Sequence, residues 1–187
     1  MSETQQQRYQ VRFDHGEAGA ARTAPGAHVV VVTDVLDGHG AVGRDELLAR
    51  VAARADVGAL VLSATATSAA DAARRVLERQ AERGDRAVVA VIAAGSVDDD
   101  GFRPTVEDQL AAGAVVDALA VVGLDSASPE AALVCAAAVG LRRASSHLLT
   151  ASTSAGELQR TGRQEAVAAA RTAPDVAHVV RERSVAA

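Results

Sequence analysis

Asp34 follows a run of four valines, His28-Val-Val-Val-Val-Thr33, and an acid at that position can do chemistry. Ligands of parallel α/β sheets bind off the carboxyl ends of strands. A carboxylate there can ligate Mg²⁺, which takes one or two carboxylates and completes its shell with waters and substrate oxygens. The competing reading is an acid that caps the turn. A second group lies in Arg103-Pro-Thr-Val-Glu-Asp108. Arg103 can hold an anion, and Glu107 and Asp108 can join Asp34 around a cation. Thr105 and Asp108 also have capping-box spacing, and acids suit helix N-termini in any case. Spacing alone leaves both readings of Glu107 and Asp108 open.

Gly38-His-Gly-Ala-Val-Gly43 is formally a G-x-G-x-x-G turn between a strand and a helix, the pattern that lets backbone approach a pyrophosphate. Asp34 and Asp37 would face that pyrophosphate, and the next strand ends in Ser63 rather than an acid. The five histidines lack metal-ligand spacing, and only His39 falls in a candidate site loop. Cys135, in an apolar segment, reads as core filler. No nucleophile elbow of the G-x-S-x-G type is present.

The elements that must position these residues alternate in type. A short strand at 9–13 precedes buried strands at 28–33, 59–63 and 87–93, each a compact apolar run. Helical spacing covers 44–55 and 68–83, the latter with Ser68 as N-cap, Asp71 at the capping-box position and Gly84 at its end. Residues 95–104 read as an acidic loop, Asp98 to Asp100 being a solvated turn. Thr105 opens a helix to about 120, and Ser128-Pro129 opens another over 130–141. That last helix is apolar nearly all round, so it is either deeply buried or part of a subunit interface. Short helices follow at 144–150, 155–161 and 164–172, with Ser154 and Glu157 as a further capping box, and a last strand lies at 177–180. The expected fold is a three-layer α/β/α domain with a largely parallel central sheet, over 9–187, behind a disordered polar tail at 1–8.

Composition narrows the partners. The chain has 187 residues, 49% hydrophobic and 23% charged, with a net charge of −5. Aromatics are only 2%, and every cation is an arginine. A negative chain without stacking platforms is a poor nucleic-acid binder. The single cysteine excludes internal disulfides and multi-cysteine metal sites. No signal-peptide pattern or membrane-length apolar run occurs, which makes the cytoplasm the expected compartment and excludes a membrane partner.

Several stretches, in order, resemble the 2-phosphosulfolactate phosphatase family. They are Val11-Arg-Phe-Asp-His-Gly16 with Gly19, Val30-Val-Val-Thr-Asp-Val-Leu36, and Asp100-Gly-Phe-Arg-Pro-Thr-Val-Glu-Asp108 with Ala112-Gly-Ala114. Ser128-Pro-Glu-Ala-Ala132 and the stretch from Ser154 through Glu157-Leu158 to Gly162 complete the series. The resemblance implies a Mg²⁺-dependent phosphatase of a small anionic phosphomonoester, 2-phosphosulfolactate or a relative. It implies that Asp34, Glu107 and Asp108 are metal-site acids, and that Asp34 and Arg103 are catalytic, with Arg103 contacting the substrate anion. Departures from the pattern are equally specific. Asp37 to Gly40 replace a small, cationic or hydroxyl-bearing stretch, Gly156 stands for an arginine, Ala166 for an aspartate and Ser96 for a glutamate. A central block of the family is missing. These losses support an alternative, a catalytically degenerate member serving as a binding or oligomeric module, and a homodimer fits either reading.

Overall fold

The computed structural model describes residues 6–182. Strands β1 (Val11–His15), β2 (Val29–Thr33), β3 (Leu60–Ala64), β4 (Val89–Ala93) and β7 (His178–Arg181) form one sheet in the order β1-β4-β2-β3-β7. The first four run parallel, and β7 is antiparallel to β3. Helices α1 (Gly16–Thr23) and α2 (Arg44–Ala52) cover one face; α3 (Ala69–Arg83), α4 (Val106–Val121) and α5 (Pro129–Leu141) cover the other. This is the expected three-layer α/β/α arrangement. The valine run explains its centre, because neighbours on a strand point to opposite faces. Val29 and Val31 pack toward α3, α4 and α5, while Val30 and Val32 pack toward α1 and α2.

Several elements differ from expectation. Helix α1 was not legible, because its buried positions are Gly16, Gly19, Ala20 and Thr23, which give no large-apolar periodicity. The acidic loop at 95–104 contains a hairpin, β5 (Ser96–Asp98) and β6 (Gly101–Arg103). Strand β1 begins at Val11 rather than at 9, and Arg12 is buried in it. The Arg12 guanidinium donates to the carbonyls of Gln7, Tyr9, Thr23 and Pro25, which satisfies its buried N–H groups. Of the tail expected at 1–8, residues 1–5 lie outside the described residues. Residues 6–8 form a turn in which the Gln6 amide pairs with both backbone groups of Phe13 on the edge strand β1.

The caps divide similarly. Ser128 caps α5, its Oγ accepting from Ala131 N at 3.1 Å, and Gly84 ends α3 in the left-handed region. Ser68 makes no cap bond; its Oγ accepts instead from Thr65 N. The box expected at Ser154 and Glu157 is displaced, since Ser152 caps α7 (Thr153–Arg160). Together with α6 (Ser145–Ala151) and α8 (Gln164–Ala170), α7 forms a C-terminal helical segment. Leu158 of α7 and Val167 of α8 pack on Leu36 in the loop after β2, which holds this segment over the carboxyl end of the sheet. Among the described residues, no helix is long and apolar enough to cross a membrane.

Candidate functional site

The chain leaves β2 toward the face of α2 and leaves the adjacent β4 toward the face of α4. Neighbouring strand ends that diverge in this way open a crevice, the usual ligand position in such sheets. Asp34 stands at the end of β2, while Arg103, Glu107 and Asp108 arrive on the β6 to α4 connection. The four expected residues therefore come to one end of the molecule, although each meets a different environment.

Asp108 is fully buried, with both carboxylate oxygens engaged. Its Oδ1 accepts from Val35 N at 2.8 Å; its Oδ2 accepts from Gly95 N at 2.9 Å and from Thr105 Oγ1 at 2.6 Å. Thr33 Oγ1 also donates to its backbone carbonyl. One side chain thus ties the exits of β2 and β4 to the first turn of α4. The capping-box expectation fails here, because Thr105 donates to the carboxylate and leaves the helix N–H groups alone. Burial pushes the Asp108 carboxyl well above its usual pKa range, and the charges of Asp34 and Glu107 push the same way. Hydrogen bonds from Thr105 and Val35 oppose them.

Asp34 is also buried and pairs with Arg44 of α2, Nε to Oδ2 at 3.4 Å, while Arg44 Nη2 donates to the Asp34 carbonyl at 3.1 Å. Burial raises the Asp34 pKa, against the opposing pull of Arg44 and His39. Arg103 is a neutralised cation. Its Nε donates to Asp98 at 2.7 Å and its Nη2 to both oxygens of Glu157, at 3.0 and 3.1 Å. The Asp98 turn is consequently an ion-pair partner rather than a merely solvated one.

Glu107 differs from its neighbour. It is only 4% exposed, yet neither carboxylate oxygen has a hydrogen-bond partner among the described residues. It lines a cavity of about 280 Å³ together with Val35, the hydroxyl residues Thr65, Thr67, Ser145 and Ser146, and Arg171. Burying a polar group without a partner costs roughly 1–3 kcal/mol, and more when it is charged. A carboxylate held in this way is suited to a cationic or hydroxyl-bearing ligand. Thr65 and Thr67 follow the end of β3, so the strand-end rule could have found them. Ser145, Ser146 and Arg171 come from the distant helical segment, and Arg44 is the first residue of α2; nothing in their local sequence marked them.

The glycine turn is filled by protein. Gly38 and Gly40 have positive φ, but the Arg163 guanidinium lies against Gly38, and Ser96 and Val97 lie against Gly40. Asp37 Oδ1 accepts from Arg44 N at the first turn of α2, occupying a donor that a pyrophosphate would need. His39 is buried nearby, with Nδ1 unpartnered among the described residues. Cys135 is partly buried against the α4 side of the core, as a filler would be.

The expected metal trio does not assemble as three open ligands. Among the described residues, no group of three or more His, Cys, Asp or Glu side chains is arranged to hold a metal ion, and Asp108 is committed to protein donors. Glu107 fits the donor chemistry of a hard cation, and Asp34 fits it in competition with Arg44. No protein-family model matches the chain, and no curated protein matches it.

Proposed function

We propose that the protein is a divergent member of the 2-phosphosulfolactate phosphatase family and a Mg²⁺-dependent phosphatase of a small anionic phosphomonoester. The observation that carries this reading is the buried, unpartnered carboxylate of Glu107, a residue that lines a small cavity at the carboxyl end of the sheet. Glu107 and Asp34 are the residues that would hold Mg²⁺, with Asp108 supporting them by fixing the loop ends. Bound there, the ion would neutralise phosphate charge and lower the pKa of an attacking water. The chain's own contribution is positioning and charge balance, which dominate phosphoryl transfer. Arg171 supplies a cation to the cavity, while the four hydroxyl residues offer donors and acceptors to the organic part of the substrate.

2-Phosphosulfolactate itself carries about four negative charges at neutral pH, counting a nearly dianionic phosphate monoester. With Arg103 neutralised by Asp98 and Glu157, the site favours a relative with fewer anionic groups. The reading also carries a cytoplasmic location, a homodimer and a small-molecule partner. A specific observation favours a second reading, a catalytically degenerate binding or oligomeric module. The committed Asp108 and the neutralised Arg103 leave fewer groups free for chemistry than the family pattern supplies.

The test is phosphate release from 2-phosphosulfolactate and a panel of small phosphomonoesters, with Mg²⁺ or with chelator. The expected result is metal-dependent release that falls at least about 100-fold in Glu107→Gln and in Asp34→Asn, a loss typical of transition-state groups. No turnover above the level of the variants on any substrate, with folded protein and saturating Mg²⁺, overturns catalysis and leaves the binding module.

A further inference from the structure

The cavity that Glu107 lines adjoins a second one. This groove, of about 340 Å³, runs beside α4 between α3 and α5, and the two cavities share the walls Ala66, Thr67, Leu110 and Ser145. Glu107, Leu110, Ala114 and Ala118 recur at intervals of three and four residues, which sets them in one stripe along α4. From Glu107 to Ala118 the stripe runs about 16 Å, by the axial rise of an α-helix. Helix α5 is not sunk in the core, since only its Ala131 and Val134 are buried. Its Ala138 and Val139 form one side of the groove, and Ala69 and Ala70 of α3 form the other. Alanine on all three helices leaves the groove open, because a longer side chain there would occupy it.

The chemistry changes from one cavity to the next. Hydroxyl residues and Arg171 line the first together with Glu107, whereas beyond Leu110 the walls are mostly methyl and branched aliphatic groups. The charged residues of the second are Asp117 and Arg142, at the far end of the stripe, and they pair with each other at 2.7 Å. Among the described residues no other cation lines that groove. A second anionic group on the ligand would therefore lose hydration there with nothing to replace it. An apolar chain gains instead, each buried methylene being worth about fourfold in affinity. The molecule that suits both cavities has one anionic end and one apolar arm.

We propose that the site binds phosphomonoesters bearing a linear apolar chain, with the phosphate at the Glu107 end and the chain along the alanine groove between α3 and α5. The placement of the phosphate rests on the phosphatase reading; the groove is a separate observation. The test is calorimetric titration of the full chain, with Mg²⁺, by methyl-, butyl- and octylphosphonate, which cannot be hydrolysed. Phosphate release from the matching alkyl phosphates is followed in parallel. The expected result is affinity that rises about fourfold for each methylene from methyl to butyl, with octyl binding tightest. Ala114→Leu and Ala70→Leu each weaken octylphosphonate binding at least about tenfold, the equivalent of two methylenes displaced. Ala70 is exposed and leucine is a good helix former, so that variant keeps the fold even where the half-buried Ala114→Leu does not. Affinity that ignores chain length overturns the proposal, as does the absence of any binding. A chain-length gain that persists in both variants overturns it too, because the chain then lies elsewhere. Graded binding without phosphate release upholds the groove and overturns catalysis, whereas release indifferent to chain length upholds catalysis and overturns the groove.

Discussion

Glu107 and Asp108 are consecutive residues with opposite fates. Asp108 receives three hydrogen bonds and joins three chain segments, so Asp108→Ala strands Val35 N, Gly95 N and the Thr105 hydroxyl in a buried space. At roughly 1–3 kcal/mol for each buried donor left unpaired, the variant should lose at least about 3 kcal/mol of stability, measured by urea unfolding. Glu107 receives no such bonds, and its burial is a cost that function can justify. Glu107→Met, close in shape and uncharged, should raise the urea midpoint by an amount equivalent to about 1–2 kcal/mol. A destabilised Glu107→Met would show that the carboxylate has a structural partner and would remove the main support for the site.

At the scale of elements, the crossing of α4 and α5 depends on Gly113. A Cβ there would overlap the Val134 carbonyl oxygen and sit 2.6 Å from the Ala138 Cβ. Gly113→Ala should therefore separate the helices and cost about 1–3 kcal/mol, the usual range for an overpacked interior, although alanine is the better helix former. A thermal midpoint unchanged from the parent would contradict that tight crossing. The attachment of β7 depends on Asp71 in the first turn of α3. Its carboxylate accepts from Arg74, from Arg75 at 3.0 Å and from Ala177 N at 2.9 Å, just before β7 begins. Burial alone would raise its pKa, but these hydrogen bonds hold it at about 2. A folded pKa below the unfolded one gives stability that is complete above the unfolded value and lost as pH falls through the folded value. The stability gap between the parent and Asp71→Asn should accordingly be full at pH 6 and close between about pH 4 and pH 2. A gap that stays constant across that window would exclude the ionised Asp71 tie as its source.

At the scale of the molecule, the parallel core seals the sheet between two helical layers, and β7 covers the β3 edge in the antiparallel sense. The opposite edge, β1, is blocked by the Gln6 amide on Phe13 and by the segment around Ser126 to Ser128. With the β1 edge blocked and the other edge formed by the short strand β7, strand addition is disfavoured, and the exposed apolar residues of α5 are the surface through which a second copy would pair. If the folded chain pairs there, its thermal midpoint should rise with protein concentration, by linkage between folding and association. That dependence should vanish in Leu133→Glu. A midpoint independent of concentration in the parent would count against pairing.

The strands and most helices were legible because their signals are local. Four consecutive valines, a capping Ser128-Pro129 and a terminal Gly84 act within a few residues of themselves. Helix α1 and the β5–β6 hairpin were not, because small buried residues and a charged loop carry no periodic apolar signal. The sequence also brought Asp34, Arg103, Glu107 and Asp108 into view together, through strand-end position and resemblance. It could not tell which of them is free. Val35, which engages Asp108, is 73 residues away from it, and Glu157, which engages Arg103, is 54 residues away. Consecutive residues on a helix point about 100° apart, so Asp108 turns into the donors at the loop ends while the Glu107 carboxylate misses them and is buried without a partner among the described residues. Burial and pairing depend on such long-range encounters, and only the folded chain decides them.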